Sequence, residues 1–196
     1  MKIEKLIMKK NIVKNKHMGF TLVELLVSVA ISGIVLLAVT ELFITSNDMY
    51  HEQDDVASSQ QEIRASLDIM SRDIRLAGLD VTGVGAGFTA ANQTNLQFTY
   101  DLNGNGTLAA YTYQYDSGNK RIMYDNPNLS SSQALTKNGT ISTMGFMYQL
   151  SNGTSIANPA ASDLGNIRLI TINICNEVEG NTYCFDNVIR PRNMGL

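Results

Sequence analysis

Few residues in this chain have the types and spacing that chemistry requires. Cys175 and Cys184 stand near its end with eight residues between them, and the two histidines, His17 and His51, are distant in sequence. A zinc site draws on clustered thiolates and imidazoles, which this spacing does not offer. A Ser/His or Cys/His pair would have to use His51, because His17 lies in a lysine-rich start. Carboxylates are scattered from Asp80 to Asp186 without an evident pair, so only carboxylate chemistry stays open to an enzyme. Asp101-Leu102-Asn103-Gly104-Asn105-Gly106 fits the first half of a calcium loop, with Asp101, Asn103 and Asn105 as the alternating oxygen ligands. The bidentate glutamate of the twelfth position is replaced by Thr112, and an Asn/Gly-rich hairpin turn is the preferred reading. Val81–Gly87 is rich in glycine, but it has neither a GK[ST] ending nor a preceding strand. It reads as a flexible loop.

One carboxylate stands out by its surroundings. Phe20–Thr40 is 21 residues long and uncharged except for Glu24. At about 1.5 Å per residue such a helix spans roughly 30 Å, the hydrocarbon thickness of a bilayer. Lys2, Lys5, Lys9, Lys10, Lys14 and Lys16 precede it against the single acid Glu4, which keeps the front end cytoplasmic. A carboxylate within a membrane helix costs on the order of 2.5–3.5 kcal/mol, and such groups have partners. There is no Lys or Arg between Phe20 and Arg64, so a cationic partner is expected on another molecule.

Gly19-Phe20-Thr21-Leu22-Val23-Glu24, followed by fourteen apolar or small residues from Leu25 to Ala38, resembles the prepilin-peptidase signature of type IV pilins and type II secretion pseudopilins. The resemblance implies a cut between Gly19 and Phe20, methylation of the new amino terminus at Phe20, and a role for Glu24 as the assembly carboxylate. In that family the glutamate neutralises the terminal amine of a neighbouring subunit. A single-span signal anchor with a chance glutamate is the plainer alternative. A conventional cleaved secretory signal fits worse, because its cleavage site comes after the apolar run.

The charge distribution supports an exported product. Of fifteen basic and eighteen acidic residues, the first nineteen positions hold six and one; residues 20–196 carry nine and seventeen, a formal charge of −8. Such a surface argues against nucleic acid as a partner of the isolated subunit. In an exported domain Cys175 and Cys184 read as one small disulfide loop, in the cytosol as two free thiols, and the export signal favours the disulfide. The expected organisation is a cytoplasmic leader over 1–19, a long helix over 20–78 and a β-rich domain over 79–196. Residues 20–40 of the helix would be transmembrane and 41–78 amphipathic.

In the amphipathic part Ile63, Leu67, Met70, Ile74 and Ala77 recur at spacings of 4, 3, 4 and 3, one face of a helix directed at the chain's own core. Arg64, Asp68 and Arg72 lie four apart on another face. Gly33 is the expected soft point, no proline kinks the helix, and Gly78 closes it. Beyond it, Leu96, Phe98, Tyr100 and Leu102 alternate with polar residues, as do Tyr111, Tyr113 and Tyr115. Two runs of period two around Asn103–Gly106 predict a hairpin. Arg121–Tyr124, Ile141–Leu150, Ile167–Cys175 and Cys184–Arg190 are further strand candidates, joined by polar connections over 130–138 and 151–166. The fold class is α+β, a long helix packed on an antiparallel β-sheet.

Gln60–Arg64 and Met70–Gly78 further resemble the helix end of PilW-type minor pilins, and the Asp101–Gly106 turn and Ile167-Arg168 fit that group. The resemblance implies a pilin fold and a minor pilin that helps initiate, prime or cap a type IV pilus. Its partners would be other major and minor pilins, prepilin peptidase and the inner-membrane assembly platform. It would sit in the inner membrane before assembly, and in the periplasm and extracellular pilus afterwards, with no cofactor. A minor pseudopilin of a type II secretion system is the alternative, and a membrane-anchored periplasmic enzyme the distant one.

Overall fold

A computed structural model describes residues 19–101, 103–178 and 180–192. The leader up to residue 18, including His17, lies outside the described residues, as does Leu102. The chain divides into two compact units, Met1–Asp48 and Met49–Leu196, with the boundary inside the helix α1 (Leu22–Leu76). The described part of the first unit is almost entirely helix, and every residue of it is exposed. α1 is continuous through Gly33.

In the second unit the predicted stripe is the helix's buried face. Ile63, Met70, Ile74 and Ala77 are fully buried and Leu67 nearly so. Gly78 ends the pattern at φ 76°, a left-handed conformation that costs glycine little, and its N–H turns to the Thr99 carbonyl at 3.1 Å.

The β residues form two antiparallel sheets. The first contains β1 (Phe88–Ala91), β2 (Asn95–Tyr100), β3 (Ala109–Asp116), β4 (Arg121–Asp125) and β5 (Gln133–Ala134), in that order. The second contains β6 (Thr143–Leu150), β7 (Ser155–Ile156), β8 (Ile167–Val178) and β9 (Asn181–Ile189), in the order β7-β6-β8-β9. The expected α+β layout is present, but its strands are parted into two ladders rather than one. The break falls in the polar connection between β4 and β6, where only two residues pair. Main-chain and tyrosine hydrogen bonds join the sheets instead. Phe146 N–H donates to the Gln93 carbonyl at 2.8 Å, Tyr148 OH to the Asn92 carbonyl at 2.8 Å, and Tyr115 OH to the Ser142 carbonyl at 2.7 Å.

The alternating aromatics explain why β2, β3 and β4 hold their register. Phe98 lies opposite Tyr111 with ring centroids 5.9 Å apart, and Tyr113 opposite Tyr124 at 4.9 Å. Pairs of this kind add about 0.5–1.5 kcal/mol beyond the area they bury. Tyr113 and Tyr124 also donate to the Asp73 carboxylate, at 2.6 and 3.3 Å, which fixes this sheet to the helix. Burial, and then the neighbouring Asp73, raise the Tyr113 hydroxyl well above its ordinary value, so it stays a donor.

Cys175 and Cys184 are directly opposite in the β8–β9 hairpin and form a disulfide, their Cα atoms 4.1 Å apart. The hairpin pairing already closes this loop in the folded state, so the bridge acts mainly on the unfolded chain. A loop of this length corresponds to about 2–3 kcal/mol in the chain-entropy account. Alkylation of native, unreduced protein should label neither thiol, and Cys175→Ser with Cys184→Ser should lower unfolding stability by about that amount. Labelling of both thiols would contradict the bridge.

Candidate functional site: the start of the helix and its carboxylate

Thr21 precedes the first helical residue, and Glu24 stands three positions later. The Glu24 N–H donates to Thr21 Oγ1 at 3.2 Å, while the Thr21 N–H and hydroxyl both donate to Glu24 Oε2, each at 3.1 Å. This is a capping box, Thr-x-x-Glu, in which two orphan donors of the helix start are satisfied reciprocally. The acid also complements the positive end of the helix dipole. The spacing Thr21-Leu22-Val23-Glu24 encodes this cap, a role of Thr21 that the unusual charge of Glu24 overshadows in the sequence.

Among the described residues Glu24 therefore has neutral donors, but no cation. Among the described residues the ion pairs are Arg72–Asp68 and Arg121–Asp116, both far along the chain. Two further hydroxyls of the apolar stretch bond to their own helix. Ser28 Oγ donates to the Glu24 carbonyl at 2.7 Å and Thr40 Oγ1 to the Leu36 carbonyl at 2.8 Å. A helix so arranged presents a nearly unbroken apolar surface. Phe20, Leu22, Leu37, Leu42 and Phe43 are each more than 70 % exposed. Among the described residues, α1 is the one helix long and apolar enough to cross a membrane, and its apolar stretch is not buried.

Residues 14–40 match the prokaryotic N-terminal methylation motif. The match supports a type IV pilin-like protein. No curated protein matches the chain. The pilin-type motif favours a structural subunit over an enzyme, and with the apolar helix it fits inner-membrane anchoring before assembly. It implies, in general terms, contact with other pilins and processing by prepilin peptidase. Gly19 and Phe20, the residues of the expected cut, are both exposed.

The other residues singled out in the sequence lie elsewhere. His51 is exposed on α1. Among the described residues no group of three His, Cys, Asp or Glu gathers as a metal site would require. The oxygens that the half calcium loop would offer a cation accept N–H groups of their own turn. Asp101 takes Asn105 N–H at 3.3 Å and Gly106 N–H at 2.8 Å, and Asn105 Oδ1 takes Thr107 N–H at 2.9 Å. Asn103 is exposed.

The glycine-rich run has an organiser that its composition does not reveal. Asp80 accepts the N–H groups of Val84 at 3.0 Å, Gly85 at 2.6 Å and Ala86 at 3.1 Å, so the loop is wrapped around a carboxylate rather than left slack. These donors, Ala86 foremost, lower the Asp80 acid to about 2 from its ordinary 3.8. A depressed carboxylate stabilises the fold above its unfolded value and loses that contribution as pH falls through the folded one. The loop should therefore hold at neutral pH and through pH 4, and loosen as pH approaches 2. Amide chemical shifts of Gly85 and Ala86 should titrate with a midpoint near 2 and lose that titration in Asp80→Asn. A midpoint near 4 would mean that the wrapped carboxylate is not the organiser.

Proposed function

We propose that this protein is a minor subunit of a type IV pilus, anchored by α1 before assembly and helping to initiate, prime or cap the filament. The observation that carries the reading is an apolar helix exposed among the described residues and interrupted by one carboxylate. A cut between Gly19 and Phe20 would leave an amino group at Phe20, to be methylated, one helical turn from Glu24. Pairing of Glu24 with its own terminus is geometrically open, since residues four apart share a face. Pairing with a neighbour's terminus does more, because an unpaired charge in low dielectric penalises every axial register but one. Thr21 occupies only Oε2, and no donor among the described residues occupies Oε1. A neighbour's amine can then approach Glu24 without opening the capping box. The likeness of residues 60–64 and 70–78 to PilW-type chains supports the minor role. A minor pseudopilin of a secretion system shares the same N-terminal signature and is the second reading.

Glu24→Gln isolates the charge. Glutamine also completes a capping box, so the helix start is retained while the anion is removed. We expect Glu24→Gln to be cleaved and to accumulate in the membrane, with its content in sheared filaments reduced about tenfold, the equivalent of about 1.4 kcal/mol. Undiminished incorporation would mean that apolar packing alone sets the register.

A further inference from the structure

The second sheet ends on an uncovered strand. Three other edge strands are short, four residues in β1 and two each in β5 and β7, whereas β9 runs for nine. Its register against β8 is unbroken from Asn181 to Ile189, and that stretch holds no proline and no lysine. Proteins ordinarily blunt such an edge with brevity, bulges, proline or lysine, because its main-chain groups are a template for another chain. The phase of β9 follows from its neighbour. The Cys175 carbonyl accepts Ser142 N–H at 2.8 Å, on the side of β8 that faces β6 and away from β9. Cys175 and Cys184 are therefore a non-hydrogen-bonded pair, and Cys184 directs its own N–H and C=O outwards. Alternation assigns the same to Thr182, Asp186 and Val188, and all four residues are exposed. Among the described residues no main-chain bond from another element reaches these N–H and C=O groups.

Room for a further strand lies beside this edge. Tyr183 and Phe185 alternate with the outward residues and belong to the face that meets α1. Tyr183 lines a groove of about 460 Å³ with Met49, Val56, Ala57 and one acid, Glu52. Phe185 lines another of about 520 Å³ with Arg64, Leu67 and Arg75. The next strand would lie about 4.8 Å from β9 and set its inward side chains over these two grooves. The carboxylates at the larger groove are Asp68 and Asp186; Asp68 pairs with Arg72, and Asp186 accepts Asn173 Nδ2. Arg64 lies over the Phe185 ring at 5.8 Å, and among the described residues neither Arg64 nor Arg75 has an ion pair.

We propose that β9 accepts an antiparallel strand from a different polypeptide, opposite Thr182–Val188, whose inward side chains are acidic beside Arg64 and Arg75 and apolar beside Val56 and Tyr183. Main-chain bonds to the four outward residues supply the affinity, and the alternate side chains supply the choice of partner. A second copy fits worse. Its own β9 would present Tyr183, Phe185 and Asn187 inwards, with no carboxylate among them, and would bring its Arg64 and Arg75 against those of the first.

The test uses the full chain in detergent and a synthetic heptapeptide with threonine at its odd positions, glutamate at the second and fourth, and leucine at the sixth. Paired antiparallel with its first residue opposite Val188, it sets the glutamates opposite Asn187 and Phe185 and the leucine opposite Tyr183. Fluorescence anisotropy of the labelled peptide should show binding. The N–H groups of Thr182, Cys184, Asp186 and Val188, which should exchange fast in the chain alone, should slow when the peptide is added. Methylating the peptide nitrogens at the third and fifth positions, which face β9, should weaken binding about tenfold or more, whereas methylation at the even positions should leave it within about twofold. Lysines in place of the glutamates should weaken it about tenfold. Asp186→Pro removes an outward N–H without removing a bond to β8, so the hairpin should persist and the peptide should no longer bind. Failure of the peptide to bind overturns the proposal, as does equal loss from the two methylation patterns. Slow exchange of the four N–H groups in the chain alone, rising with its concentration, would mean that a second copy covers the edge and would overturn it too.

Discussion

The structure depends on an apolar helical surface that is exposed among the described residues. Between Phe20 and Ile44 the large apolar side chains, Phe43 and Leu37 among them, are each more than half exposed. Burying one such side chain is worth about 1.5–3 kcal/mol, so leaving the whole set in water would cost tens of kcal/mol. An isolated folded domain is stable by only about 5–15 kcal/mol. Such a helix is suited to apolar surroundings such as lipid. Its own polar groups are prepared for them. Thr21 and Glu24 satisfy the donors of the helix start, and the hydroxyls of Ser28 and Thr40 turn back to their own carbonyls.

The second unit solves the opposite problem, giving its part of α1 a core of its own. Ile63, Met70 and Ile74 meet Phe98 and Tyr113 of one sheet and Phe146, Ile172 and Ile174 of the other in a single cluster. Several polar groups at its margin bond to the helix, while Asn176 Oδ1 has no partner among the described residues. Asn187 Nδ2 donates to Ser71 Oγ at 2.7 Å, Asn176 Nδ2 to Ser59 Oγ at 2.8 Å, and Glu62 accepts Lys137 N–H and Thr140 Oγ1. Each ties a different strand or loop to the helix, Glu62 and Ser71 from opposite sides of the buried stripe.

Much of this was legible because long elements carry strong periods. The stripe from Ile63 to Ala77 and the alternation Leu96, Phe98, Tyr100 each repeat often enough to name a face. The cysteine pair needed only an exported setting to read as a bridge. β5 and β7 were not legible, since two residues have no period, and β1 was masked by the glycine run before it. The division into two sheets was also invisible, because it depends on where pairing stops between Asp125 and Thr143 rather than on any residue type. At the helix start, the sequence announced an unusual charge but not its geometry. The same four residues encode a cap, and the cap decides which oxygen of Glu24 is available. Asp80 was missed for a related reason: a short acid before glycines looks like a solvated loop until the N–H groups converge on it.

If this chain is handled as a pilin-type precursor, its helix begins at a newly made terminus. Mass analysis of the N-terminal peptide from membrane-extracted protein should then find Phe20 as the first residue, carrying a methylated amine, with the lysine-rich leader gone. A peptide that retains Met1, or one that begins beyond residue 40, would contradict it.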